Sequence, residues 1–228
     1  MYHKVGPRPA GTQKKALYVS PALFSRQIGE LRKAGFNSAT MDEACVTENR
    51  EAPRIVITFD DGFANVLDHA LKPLAENNFH AIQFLVPGLL GGRNEWDLPA
   101  GEVPEKIMDA SQVREWMAAG HEIGAHTMTH PDLATLSLED AREEISASKK
   151  SLEDTFGVPV EHFCYPYGSW NGQIRDLVAG AGFRTACTTK PDVNTSATNP
   201  FEISRWMARH ASPRPKEVLA RLVDRMFN

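Results

Sequence analysis

RIVITFDDG, residues 54–62, decides the fold class. Every position from Ile55 to Phe59 is apolar or β-branched, so both faces of the segment call for burial, as in a parallel-sheet strand with covered faces. Two carboxylates, Asp60 and Asp61, and then Gly62 end the run abruptly. Both acids therefore belong at the C-terminal end of a buried strand.

The alternation of strand and helix continues outward from this segment. Upstream, Ser20 is an N-cap with Pro21 at the first helical position, Leu23, Phe24, Ile28 and Leu31 form an apolar face, and Gly35 follows the end. A short strand over 36–40 comes next. Downstream, the pattern predicts a helix over 66–75, a strand over 80–86 ending at Pro87, and a long polar loop through Asn94, Trp96 and Asp97. A helix over 111–119, closed by Gly120, leads into a strand over 121–125 and then into HTMTHP. A further helix starts at Ser137, with Asp140 three residues on, and ends at Gly157 before the strand-like EHFCYPYG. A helix over 174–179, strands over 183–189 and 203–208 and a helix over 216–226 complete the pattern. No linker or low-complexity stretch divides it, so one α/β domain over 1–228 is expected, either a barrel or an open parallel sheet.

The chain has 228 residues, 42% hydrophobic and 24% charged, which excludes disordered, collagenous and membrane-spanning classes. With 25 basic and 29 acidic side chains the formal net charge is −4, so no broad field draws it to nucleic acid or anionic lipid. Three cysteines without CxxC spacing indicate neither a disulfide framework nor a cysteine zinc cluster. If Met1 is the native start, the absence of an apolar leader predicts a cytoplasmic protein. Nothing in the sequence reports the oligomeric state.

In a parallel α/β fold the loops after the strands gather on one face, which would bring Asp60/Asp61, His126/His130 and Tyr165 to Gly168 together. His126 and His130 share a face if their segment makes one helical turn, stopped by Pro131. One carboxylate and two imidazoles suit a tetrahedral Zn²⁺ with one open position, with Co²⁺, Ni²⁺ and Mn²⁺ as alternatives. A metal-assisted hydrolase needs one anionic ligand and a separate base, so Asp61 is assigned to the metal and Asp60 to the base. Singly these signals say little, since DG is a common turn dipeptide, HxxxH occurs on solvated helix faces and YPYG makes a good turn.

Taken in order, TFDDG at 58–62, HTMTH at 126–130 and CYPYG at 164–168 make the chain resemble the polysaccharide deacetylases, carbohydrate esterase family 4, from about Ile55 to Arg205. The resemblance implies a distorted parallel (β/α) barrel of about seven strands that removes acetyl groups from N-acetylated sugars. It implies Asp60 as catalytic base, Asp61, His126 and His130 as metal ligands, and the Tyr167 backbone N–H as an oxyanion donor beside the metal.

Two departures stand out. Many relatives begin the third motif with an arginine that contacts the catalytic aspartate, where this chain has Cys164, read here as a small buried residue. Arg205 is the candidate to supply that charge from another strand end, and is also counted with the substrate-facing residues. Many relatives carry their general acid in a late histidine motif, which His210 matches poorly; the opening MYHKV resembles the poly-N-acetylglucosamine deacetylase branch, which makes His3 the candidate acid and His210 the fallback. His69, His80, His121 and His162 are read as structural. Trp96 and Trp170 lie in loops beside the motifs and are candidates to stack on sugar rings, whereas Trp116 and Trp206 fit the core.

The leading expectation is a metal-dependent hydrolase that releases acetate from N-acetylhexosamine units of a polysaccharide or oligosaccharide, with a carbohydrate substrate and no nucleic-acid partner or membrane span. The alternatives are an O-acetyl esterase, a cyclic ureide or imide amidohydrolase, and a carbohydrate-binding protein that has lost catalysis. The missing arginine and the displaced acid favour that last reading; the paired Asp60 and Asp61 oppose it.

Overall fold

The computed structural model describes residues 1–45 and 53–208. Nine short strands occur among these residues, all paired in parallel: β1 (Lys4–Val5) with β2 (Tyr18–Val19), β3 (Asn37–Ser38) with β4 (Arg54–Ile55), and a five-stranded sheet. That sheet runs in chain order through β5 (Ile57–Phe59), β6 (Ala81–Leu85), β7 (Glu122–Ala125), β8 (His162–Cys164) and β9 (Thr185–Cys187). Helices α1 (Pro21–Lys33), α2 (Met41–Cys45), α3 (Ala64–Glu76), α4 (Ala110–Ala118), α5 (Leu138–Phe156) and α6 (Gly172–Gly180) alternate with the strands. No helix among the described residues is long and apolar enough to cross a membrane.

Hydrogen bonds outside the regular strands close the sheet into a ring. Beyond β9, Ile203 bridges Cys187, with Ile203 N donating to Ala186 O at 2.9 Å and Thr188 N to Ile203 O at 2.8 Å. The chain then leaves β9 and meets the N-terminal residues, where Ala208 N donates to Met1 O and the Met1 nitrogen to Trp206 O, both at 2.8 Å. Tyr2 completes the circuit on β5, with Tyr2 N on Thr58 O at 2.8 Å and Asp60 N on Tyr2 O at 3.0 Å. Five strands and these two extended segments make the seven members of a distorted (β/α) barrel.

Side-chain alternation explains how the barrel fills. Ala81 and Leu85 of β6 join the main core under the helices, with Phe24 and Ile28 of α1, Val66 and Leu74 of α3 and Ile145 of α5. Ile82 and Phe84 point to the other face and pack with Met41, Cys164 and Cys187. Cys164 and Cys187 are fully buried, as expected for Cys164.

Several boundaries differ from the sequence expectation. α4 starts at Ala110 because Asp109 and Gln112 form a reciprocal capping box, one residue before the helix expected from Ser111. The late strand over 203–208 reduces to the bridge at Ile203, because the following residues turn to Lys190 and Met1 for their hydrogen bonds. The helix expected over 216–226 and the fallback acid His210 lie outside the described residues.

Candidate active site

Strand ends deliver the three motifs to one cavity of about 690 Å³, whose lining includes His3, Asp60, Asp61, His126, His130 and Tyr167. Of five non-glycine residues with positive φ among the described residues, four are in these motifs: Asp61 (76°), Thr127 (63°), His130 (68°) and Tyr167 (59°). Backbone strain is therefore concentrated where the side chains must be aimed.

The HTMTH segment corrects the expected helical turn. Left-handed backbone at Thr127 and His130 is incompatible with one, and side chains fix the loop instead. Thr127 Oγ1 accepts from His130 N at 3.0 Å, while Glu144 of α5 accepts from Met128 N (2.8 Å), Thr129 N (2.9 Å) and Thr129 Oγ1 (2.7 Å). His126 and His130 still converge, but through a pinned loop.

Asp61 Oδ1 lies 3.3 Å from Nε2 of both His126 and His130, and all three residues are buried. His126 Nδ1 is 2.7 Å from the Cys164 carbonyl, an acceptor, so Nδ1 carries a proton and the ring is held with Nε2 toward Asp61. Burial opposes charge on Asp61, yet hydrogen bonds from His126 and His130 hold its carboxyl well below the usual range. Burial likewise opposes charge on His126, but Cys164 and Asp61 raise it well above an ordinary histidine. One carboxylate oxygen and two imidazole nitrogens within 4.8 Å of one another form a donor set that suits zinc. A second trio, Asp60, His126 and Cys164, is equally compact, but there a guanidinium already occupies the cation's place.

That guanidinium belongs to Arg205, which is buried. Nη1 donates to Asp60 Oδ1 at 2.7 Å and to Thr58 Oγ1 at 3.1 Å, Nη2 to Asp60 Oδ2 at 2.8 Å and to Cys164 Sγ at 3.0 Å, and Nε to the Thr188 carbonyl at 2.9 Å. This is the partner expected for Asp60, and it corrects Arg205 as a substrate-facing residue, since both terminal nitrogens are committed to the carboxylate. Burial alone would raise the Asp60 pKa; the charge of Arg205 and its hydrogen bonds bring it down to about 2. Asp60 is accordingly ionised across the whole neutral range.

His3 is held in place rather than frayed, between the Tyr2 bonds to β5 and β1. Its Nε2 is 3.9 Å from Asp60 Oδ2, and burial lowers its pKa. Tyr167 sits in a tight turn whose bonds use the N–H groups of Gly168 and Ser169, not its own. Gly168 is indispensable there, because at φ +69° a Cβ would also lie 2.0 Å from Thr189 Oγ1.

Trp96 lines the cavity and stacks on His130 with centroids 4.3 Å apart, bracing a candidate ligand ring. Trp170 does not line the cavity, contrary to expectation. It stacks on Tyr165 at 5.9 Å and packs on the core, next to Asn171, which caps α6. Among the histidines read as structural, His162 bonds Thr185 Oγ1 and His80 the Gly120 carbonyl, and none of the four lines the cavity. Sequence reasoning missed Glu144, Lys14 and the role of Asp97; Lys14 and Asp97 also line the cavity. Asp97 stands in the polar loop singled out above, but no local pattern marks Lys14 or Glu144.

The polysaccharide deacetylase family model matches residues 47–186, more than half of the chain. The chain belongs to the polysaccharide deacetylase family. Two chitooligosaccharide deacetylases are among its relatives: that of Azorhizobium caulinodans is 34% identical over 143 residues, 62% of this chain and 60% of that protein. That of Sinorhizobium fredii is 30% identical over 133 residues, 58% of this chain and 54% of the relative. The chain thus spans less than two thirds of the length of these curated relatives. Among solved structures, IcaB from Ammonifex degensii superposes with a TM-score of 0.81 at 22% identity, covering 96% of this chain and 93% of that one. The Streptococcus pyogenes deacetylase PplD in complex with acetate gives 0.80 at 20% identity, covering 96% and 94%. At such identities the likeness is one of fold, and the polysaccharide deacetylase barrel is the fold they share.

Proposed function

We propose that this polysaccharide deacetylase family member is a metal-dependent hydrolase that removes N-acetyl groups from N-acetylhexosamine units of an oligosaccharide or polysaccharide and releases acetate. The observation that carries the reading is Asp61 Oδ1 set 3.3 Å from two imidazole nitrogens, in the same cavity as an Asp60 held ionised by Arg205. The chitooligosaccharide deacetylase relatives support the substrate class.

Asp61, His126 and His130 would hold the ion, most plainly Zn²⁺. Such an ion supplies a Lewis acid that polarises the acetamide carbonyl and acidifies water. Asp60 accepts the proton of the attacking water at a carboxylate oxygen, with Arg205 fixing its orientation. The Tyr167 N–H donates to the developing oxyanion. His3, whose Nε2 lies 3.9 Å from Asp60 Oδ2, delivers a proton to the departing nitrogen. An amine leaves far more easily when protonated, so an acid placed here favours N-acetyl over O-acetyl cleavage. Arg205 paired with Asp60, and His3 placed 3.9 Å from it, support the catalytic reading over the binding-only one.

Acetate release from N-acetylglucosamine oligomers by zinc-reconstituted protein tests the proposal. Release should vanish on chelation and return with Zn²⁺; a chelator-insensitive rate, or none with full zinc, rejects it. His3→Gln is expected to lower kcat on the oligomer by about 100-fold, the usual scale for general acid catalysis. On an aryl acetate, whose phenolate leaves unprotonated, the loss should be several times smaller. Equal losses on both substrates would remove His3 from the acid role.

A further inference from the structure

In the same cavity as Asp60, a second constellation lies outside the proposed chemistry. Lys14, just before the turn Lys15–Leu17, reaches over the mouth and pairs through Nζ with Asp97 Oδ1. Asp97 is almost fully buried, and its other oxygen accepts from Asn94 Nδ2 at 2.8 Å, so the carboxylate is fixed from both sides. The Lys14 backbone is anchored as well, its N–H donating to Glu102 Oε2 at 2.5 Å. The ammonium lies 5.9 Å from the ring centroid of Tyr167, itself half exposed at the mouth.

An ammonium has three N–H donors. Among the described residues Asp97 is the one acceptor for Lys14, and the side chain lines the cavity while remaining 36% exposed. A lysine whose charge is matched by a buried carboxylate, but whose remaining donors face a cleft, suits a neutral, hydroxyl-rich ligand. For an anionic ligand the Asp97 charge would work against binding.

Resting on the deacetylase reading, we infer that Lys14 is a substrate-positioning residue whose ammonium, oriented by Asp97 and the Tyr167 ring, donates a hydrogen bond to a hydroxyl oxygen of the bound sugar. The Lys14–Asp97 pair then selects for sugar oligomers over small acetyl compounds, because only the former offer that oxygen.

The test measures binding apart from turnover. Zinc-loaded Asp60→Asn protein, which keeps an acceptor for Arg205, is titrated calorimetrically with an N-acetylglucosamine tetramer, with and without Lys14→Met. Loss of a hydrogen bond from a charged donor should raise Kd about tenfold or more. Lys14→Arg should recover most of that loss. In the active enzyme Lys14→Met should raise KM for the tetramer by a similar factor while kcat changes much less, as for an interaction shared by ground and transition states.

Unchanged tetramer affinity in Lys14→Met overturns the inference even if acetate is released normally. Affinity lost on that change without acetate release from the wild-type enzyme supports the binding role and rejects the deacetylase reading instead. The double variant Lys14→Met/Asp97→Asn guards against misfolding, since it removes the buried charge together with its partner. Wild-type affinity in the double variant would mark the pair as structural and overturn the inference.

Discussion

Acetate release by Asp60→Asn is expected to fall about 1,000-fold, within the range that general base catalysis contributes. The substitution preserves shape and leaves Arg205 an oxygen to bond, but removes the proton acceptor. Zinc content should be unchanged, because the candidate ligands are Asp61, His126 and His130. Steady-state rates normalised to bound zinc check this. A loss below tenfold at full zinc occupancy would take the base role from Asp60. Because its pKa is near 2, Asp60 should also set no acid limb in the rate profile above about pH 4.

Arg205→Met is expected to destabilise the fold by about 3–5 kcal/mol, the scale for removing one partner of a buried ion pair. The cost arises because Asp60 would stay buried with its charge unmatched, and because Thr58, Cys164 and the Thr188 carbonyl would lose their donor. Urea midpoints measure it. The pH dependence has a definite sign. In the wild-type protein the Asp60 pKa is lowered to about 2, so its ionisation stabilises the fold above the ordinary carboxylate value near 4. That contribution is lost as pH falls from about 4 toward 2, so the gap between wild type and Arg205→Met should narrow over that window. A constant gap would mean that Arg205 acts by packing alone. Activity should fall with stability, because Asp60 would lose the guanidinium that fixes its orientation.

The parts of the site that could be read from the sequence are those fixed by local pattern. RIVITF announces a buried strand, so Asp60 and Asp61 had to lie at its end, and the same reasoning placed His126 and Tyr167. Arg205 was legible through the family resemblance, since Cys164 stands where many relatives carry an arginine, but its full commitment to Asp60 was not. The HTMTH conformation was misread because Thr127 and the distant Glu144 decide it, rather than the spacing of the histidines. Trp170 was misplaced because its ring packs on Tyr165 and the core, a tertiary contact that the local motif does not reveal. Lys14 left no trace, since its partner Asp97 is 83 positions away and only the folded barrel joins them.

The way the ring closes has a consequence in time. Asp60 and Arg205 are 145 positions apart in the chain, so at about 5–20 residues per second a ribosome would need roughly 7–30 s between making one and the other. Throughout that interval β5 can pair with β6 and Tyr2, but the Asp60 carboxylate has no guanidinium to meet. Burying it early would be unfavourable, so the growing chain is expected to keep that corner hydrated until Arg205 arrives. The candidate site is then among the last parts of the molecule to be sealed, and a chain interrupted before Arg205 would carry every candidate metal ligand yet lack the partner of Asp60.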